Sequence, residues 1–372
     1  MRHKLHYPLL IIIFMSGLLT GCGFKDIDKR IFVTNIGIDR STDEKELYKV
    51  TLRLAIPSGN IKQGQDQEYV LLVEDNMTIS HAVRKMKSEI DKELDFAHAK
   101  VIILGEDVVD ENLYDIIDWL ARRRDIQKIA WITMAKGTAE DILKARPKSE
   151  RLASEALINI FDKIGTESPY IHSEYFSEFR RDLYEKGIDA VFPVIDLKKS
   201  EDKNETYSIN KVAIYRAGEE WKVVNLDPEE TRIFNMLKDF EQNVGFVIDT
   251  EKEKFLYATD IIKIKYKLTD QPKPKITYDI MMQGILEEKE GVFKQEKVKQ
   301  YNKLIEQEVK KQIEDLLNKL KEENVDPIGF GVRYKSTRFT QEDRIEKWNR
   351  LYPDVLFDIK VKAMIKSSGV TE

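Results

Sequence analysis

The one cysteine of this sequence is Cys22, in the stretch MSGLLTGCGF at residues 15–24. A lone cysteine makes no internal disulfide, and zinc sites draw three or four protein ligands from His, Cys and carboxylates. That leaves a free buried thiol, a catalytic nucleophile, an intermolecular bridge or a site of covalent modification, and the neighbours select the last. Arg2, His3 and Lys4 precede an apolar run at residues 9–15 and then Ser16 and Gly17, the layout of a secretory signal. The apolar stretch 7–21 is about 15 residues, short of the roughly 20 that a helix needs to cross a bilayer. Leu19, Thr20, Gly21 and Cys22 match the bacterial lipobox. In that chemistry a diacylglycerol is placed on the thiol of Cys22 and the bond between Gly21 and Cys22 is cut. The small residues let an extended chain enter the peptidase, and the acyl chains then hold the new N-terminus in the membrane.

Other residues able to do chemistry form no recognisable set. No phosphate-binding glycine loop, nucleophile elbow, HExxH or EF-hand pattern is present. Beyond the signal the histidines are His81, His98 and His172. His81 falls on a helix starting near Thr78 and reads as an exposed side chain. His98 precedes a strand and reads as a turn or core-edge residue, while His172, in PYIHSEY, has no partner histidine in view. Paired carboxylates act as acid and base only at a defined separation in space, which spacing in sequence does not supply. No catalytic residue, metal site or cofactor is therefore expected, and no ligand-binding residue can be named. Arg122, Arg123 and Arg124 end a helix, where cations meet the negative end of the helix dipole. The alternating lysines Lys263, Lys265 and Lys267 read as the wet side of a strand, where they also discourage edge pairing.

The full chain has 372 residues, with 61 basic and 66 acidic side chains and a net charge of −5. Loss of Arg2 and Lys4 with the signal leaves 59 basic residues and a net charge of −7. A mildly acidic chain with interspersed signs carries no footprint for nucleic acid. With 42% hydrophobic and 34% charged residues it is globular in composition, and its length suits two or three domains.

The elements that must position any site follow from periodicity. Residues 31–39 read as a strand, 48–56 alternate with period 2, and 79–94 carry apolar residues at helical spacing. The run 100–107 reads as a strand buried on both faces. A helix at 113–120, a strand at 128–135, a short helix through Ile142 and Leu143, two helical patterns over 151–186 and a strand at 190–197 follow. Strands alternating with helices predict a mixed α/β half over 31–198, after a signal at 1–21 and a lipidated tether at 22–30. The charged stretch KKSEDKNET, 198–206, reads as a domain boundary. Over 207–372 short strands, a long helix at 298–320 and strands at 330–334 and 357–365, flanking a polar helix around Trp348, predict an antiparallel sheet packed on one long helix. The fold class is thus α+β and multi-domain. The long helix must stop before Pro327, with Asn324 placed to end it. Gly329 and Gly331 would alternate with Ile328, Phe330 and Val332 on a strand with one bare face, covered either by the long helix or by a partner.

DPIGFGVRY at 326–334 and EKWNRLYPDVLFDIKVKAMIKSSG at 346–369 resemble the closing motif of the Ger(x)C family, the lipoprotein C subunits of nutrient germinant receptors in endospore-forming bacteria. IGID at 36–39, RRRDIQKIAWITMAKGTAEDIL at 122–143 and KGIDAVFPVI at 186–195 resemble family segments in the same order. Where the family often has Trp-Asp after the lipidated cysteine, this chain has Gly23 and Phe24. The resemblance implies a non-enzymatic subunit on the extracytoplasmic face of the inner spore membrane. There it would be held by acylated Cys22 beside membrane-embedded A and B subunits. It assigns no nutrient and no catalytic residue. A solute-binding lipoprotein is the alternative, and would need two lobes around an aromatic-lined cleft. A surface hydrolase would need a nucleophile or metal spacing that is missing.

Overall fold

The computed structural model describes residues 27–55, 69–109, 113–147, 153–162, 168–199, 205–218, 221–270, 272–291, 293–338 and 343–367. Gly21 and Cys22, with the signal and the start of the tether, lie outside the described residues.

Two sheets organise the chain. The first contains β1 (Arg30–Arg40), β2 (Tyr48–Ala55), β3 (Tyr69–Asn76), β4 (Glu93–Asp95), β5 (Val101–Leu104), β6 (Trp131–Ala135), β7 (Ala190–Lys199), β8 (Glu205–Arg216) and β9 (Lys222–Leu226). Its spatial order is β3-β2-β1-β5-β6-β7-β8-β9, with β4 also paired to β1. The middle strands β1, β5, β6 and β7 run parallel, and both ends of the sheet are antiparallel. Helices α1 (Ile79–Met86), α2 (Leu113–Arg122), α3 (Ala139–Lys144), α4 (Ala153–Phe161) and α5 (Phe176–Tyr184) connect the strands. Residues from α1, α2 and α5 build the core on one face, and residues from α3 and α4 build it on the other. That double covering is why the four residues of β5 are all apolar and all buried.

The second sheet has the order β10 (Gly245–Asp249), β11 (Lys254–Thr269), β12 (Lys275–Lys289) and β13 (Leu356–Ser367). α6 (Pro228–Lys238) precedes it. α7 (Val298–Glu322) lies on one face, burying Tyr301, Ile305, Val309, Ile313, Leu316, Leu317 and Leu320 at helical spacing. α8 (Phe330–Ser336) and α9 (Arg344–Leu351) complete the half. Its core continues onto Val191, Val212, Ile214, Val224 and Leu226, the back of the β7–β9 end of the first sheet. The free edge of β13 is guarded by α7: the Ala363 N–H donates to Glu306 Oε1 at 3.1 Å and the Ile365 N–H to Asn302 Oδ1 at 3.3 Å. No described helix is long and apolar enough to cross a membrane.

The α+β architecture holds, with particular departures. The helix at 79–94 ends at Met86, and Leu94 lies in β4, because Ser88 and the residues after it turn the chain. The charged stretch at 198–206 joins β7 to β8 as antiparallel neighbours, so β8 and β9 extend the first sheet. β12 and β13 are parallel, so the second sheet is mixed rather than antiparallel. β10 pairs only with Lys254–Ala258, so the Lys263–Lys267 stretch of β11 has β12 on one side and no strand on the other, an edge that its lysines can guard as expected. Residues 330–334 belong to helix α8, not to a strand. β3, α6 and β10 were not expected. For α6 the signal is legible: Asp227 accepts from the Glu230 N–H, Glu230 accepts from the Asp227 N–H, and Pro228 occupies the first turn.

Candidate functional site

Three of the stretches that carry the resemblance, 186–195, 326–334 and 346–354, are far apart in sequence and meet in space. Asn324, at φ +49, ends α7 in the left-handed region as its sequence position suggested. Asp326 follows, and its side chain turns back to collect the first N–H groups of α8. The Gly329 and Phe330 N–H groups donate to Oδ1 at 2.9 and 3.0 Å, and the Gly331 N–H donates to Oδ2 at 2.8 Å. Gly329 sits at φ +83, a conformation that glycine adopts without penalty. This cap is why the alternating apolar residues after Gly329 coil into a helix.

The cap is locked to the turn that precedes β7. The Asp326 N–H donates to Asp189 Oδ2 at 2.6 Å, and the Asp189 N–H returns a bond to the Asp326 carbonyl at 3.0 Å. The Val332 N–H donates to the Gly187 carbonyl at 3.0 Å. Gly187 and Gly331 stand backbone against backbone: a Cβ on Gly331 would lie 2.7 Å from the Gly187 Cα and carbonyl oxygen and from Trp348 Cδ1. What covers Gly331 is thus this turn and Trp348, neither the long helix nor a partner. Trp348 is buried between Tyr334 and Tyr352, with ring centroids 5.3 and 5.4 Å away. The Tyr352 hydroxyl donates to the Val325 carbonyl at 2.7 Å.

Beside this clamp opens a cleft of about 460 Å³, walled by Tyr184, Arg216, Asn324, Glu346, Asn349 and Tyr352 among others. Burial pushes the Asp326 carboxyl up to about 7 against the pull of its three N–H donors, with Asp189 adding to the rise. Burial likewise raises Asp189 above the usual carboxylate range. A raised carboxyl in a cleft is a candidate general acid. Here both Asp326 oxygens are occupied by backbone N–H groups, so the chemistry available is holding two chain segments together, not proton transfer.

His172 has a second set of partners. Its Nδ1 lies 3.1 Å from Asn235 Oδ1 and 3.2 Å from Asp239 Oδ2, and its Nε2 lies 3.1 Å from Glu174 Oε2. Asn235 is on α6 and Asp239 ends it, so the ring ties the segment before α5 to the second half. Burial alone would lower the pKa, but bonds to Asp239 and then Glu174 overcome it and raise the imidazolium to about 9. The carboxylates stand on opposite sides of the ring and do not converge, and among the described residues no group of three or more His, Cys, Asp or Glu could hold a metal. His81 and His98 are exposed, His98 against the Phe32 ring at 4.3 Å.

A third constellation joins IGID to KGTAEDIL. Asp39 accepts from the Ala139 and Glu140 N–H groups at 2.6 and 3.0 Å and so caps α3, while burial raises it to about 6. Arg122 and Arg123 pair with Asp118 and Asp125, and the Arg123 guanidinium also lies 4.2 Å from the Phe96 ring centre.

His172→Ala should cost about 3 kcal/mol, because it strips the partner from the buried Glu174 carboxylate. His81→Ala and His98→Ala should melt as the parent does. The imidazolium is held more tightly in the fold than the unfolded value of 6.5. Its contribution is therefore complete below about pH 6.5 and lost as pH rises through about 9. Urea denaturation from pH 7.5 to 9.5, above the range in which Asp326 titrates, should show stability falling in the parent and flat in His172→Ala.

Comparison with known proteins places this geometry. The family described as "Spore germination protein N-terminal domain" matches residues 23–197, and "Spore germination B3/ GerAC like, C-terminal" matches 211–369. The chain is 25% identical to "Putative spore germination protein YfkR" of Bacillus subtilis, over 99% of this chain and 97% of that one. It is 20% identical to "Spore germination protein GerQC" of Bacillus cereus, over 98% and 99% of the two chains. It is 23% identical to "Spore germination protein KC" of Bacillus subtilis, over 97% and 96%. The crystal structure of the GerBC protein superposes with a TM-score of 0.54 at 16% identity, covering 89% of this chain and 97% of that one, a likeness of fold.

Proposed function

The chain belongs to the Ger(x)C family of spore germination proteins, and from that premise we propose that it is the lipid-anchored C subunit of a nutrient germinant receptor. In this reading acylated Cys22 holds it on the extracytoplasmic face of the inner spore membrane. It acts there by protein contacts with membrane-embedded A and B subunits and catalyses no reaction. The observation that carries the reading is that family matches span both halves of the chain. The lipobox supplies the anchor, which raises the local concentration of the body at its partners. The convergence of the family-like stretches on the Asp189–Asp326 clamp supports a structural role for those residues. We keep the division at 31–198 and 207–372 as a proposal about folding units.

The cleft bears on the solute-binding alternative, since Tyr184, Trp348 and Tyr352 give it aromatic walls. Its two sides are, however, bonded to one another at the clamp, and the two halves differ in topology. A hinge that closes on a solute has no free joint there.

The deciding experiment is Cys22→Ala in the full chain, with detergent partitioning and mass spectrometry of the N-terminal peptide. The variant should be uncleaved or released and germination lowered, whereas unmodified Cys22 in membrane-bound parent protein defeats the anchor. Deletion of the gene with unaltered germination on every nutrient tried defeats the receptor assignment.

A further inference from the structure

The strand pairing brings together lysines about a hundred residues apart on one open face. In β11 and β12 Lys263 pairs with Met281 and Lys265 with Asp279. In β12 and β13 Met281 pairs with Lys362 and Asp279 with Lys360. Directly paired residues share a face, so two rows cross the sheet, Lys263–Met281–Lys362 and Lys265–Asp279–Lys360, with Lys267 beside them. The opposite face carries Ile262, Ile280 and Ile359, buried in the core. All five lysines are exposed, and none is in an ion pair among the described residues. Met281 and Met364 stand more than half exposed among them. Asp279 lies within the rows, and Asp358, paired with Lys275, faces Lys267 across Thr277.

This is an unusual surface for a chain of net charge −5. Solubility alone is served by mixed signs, and guarding the edge of β11 beyond Ala258 does not call for Lys360 and Lys362 two strands away. Like charges within a Debye length repel one another, and a counter-surface of negative charge relieves that cost. We propose that this face rests on an anionic lipid surface. A sheet face is broad and shallow, as a bilayer is. Lysines can spread their charge among the headgroups while the methionines enter the boundary of the acyl chains. The proposal rests on the anchored reading above and deepens it: acyl chains fix the end of the tether, and the lysine face sets the orientation of the body. α7, α8 and the clamp pack on the other face of the sheet and would stand away from the bilayer.

The test uses the lipidated full chain in vesicles of phosphatidylglycerol or of phosphatidylcholine, with lysine acetylation read by mass spectrometry. Lys263, Lys265, Lys360 and Lys362 should react several-fold more slowly on phosphatidylglycerol, and high salt should abolish the difference. Lys303 and Lys311, exposed on α7, should react alike on both. The variant Lys263→Glu, Lys360→Glu should stay anchored, and its remaining Lys265, Lys267 and Lys362 should react alike on both vesicles. A chain that floats with both vesicles and labels equally on both overturns the lysine-face proposal and leaves the anchor intact. A chain that floats with neither defeats the anchor, as well as the face. Should the anchor alone fail, the chain must still bind phosphatidylglycerol, more weakly by at least about fivefold for each lysine reversed. Protection that needs co-reconstituted membrane-embedded subunits and not anionic lipid would assign the face to a protein partner and overturn the lipid assignment.

Discussion

Gly331→Val is expected to destabilise the isolated chain by at least about 3 kcal/mol, the upper end of the usual cost of overpacking. The first added atom would already stand 2.7 Å from the Cα and carbonyl oxygen of Gly187. Those are backbone atoms on a turn that is itself held by the Val332 and Asp189 N–H bonds, so they have no rotamer to change. Trp348 Cδ1 is equally close, and that indole is packed between two tyrosines. The reciprocal variant Gly187→Ala meets the same contact from the other side, with a further penalty from φ +99. Thermal and urea denaturation should show both variants losing stability, and a parent-like melt of Gly331→Val would mean that this approach of backbones is absent.

Asp326→Ala should cost about 4 kcal/mol, because three buried N–H groups lose their acceptor together and each unpaired donor costs roughly 1 to 3 kcal/mol. Asp326→Asn should cost less, keeping one oxygen for Gly329 and Phe330 while turning an amide towards the Gly331 N–H. The two variants also separate packing from charge. The Asp326 carboxyl is held near 7 in the fold against 3.8 for a free carboxyl. The folded chain thus binds this proton more tightly than the unfolded one. The contribution is present in full below about pH 4 and falls as pH rises towards 7. Asp39, raised to about 6, adds to the same limb, whereas the His172 limb lies between 6.5 and 9. In denaturation series Asp326→Asn should flatten the acidic limb and leave the alkaline one, with His172→Ala doing the reverse. An acidic limb unchanged in Asp326→Asn would show that this carboxyl titrates normally.

The sequence by itself determined what depends on neighbours three or four residues away. It set the apolar stripe of α7, the stop of that helix at Asn324, the double burial of β5 and the order of family-like stretches. It also set the exposed place of His81, and the lipobox on which the Cys22 assignment rests. Tertiary structure decided whatever required a distant partner. The backbone N–H of Asp326 meets the Asp189 carboxylate across 137 positions, and the His172 ring meets Asn235 across 63. No periodicity encodes such a pairing, since each side chain alone is satisfied equally well by water. The choice between strand and helix at 330–336 belongs here too. Gly-Phe-Gly-Val suits either period, and it was settled by three N–H groups finding one buried carboxylate and by a glycine turn that leaves room for the helix. The lysine face was half visible in β11 and became a surface only when β13 brought Lys360 and Lys362 alongside across β12, because strand register, not chain order, fixes which side chains share a face.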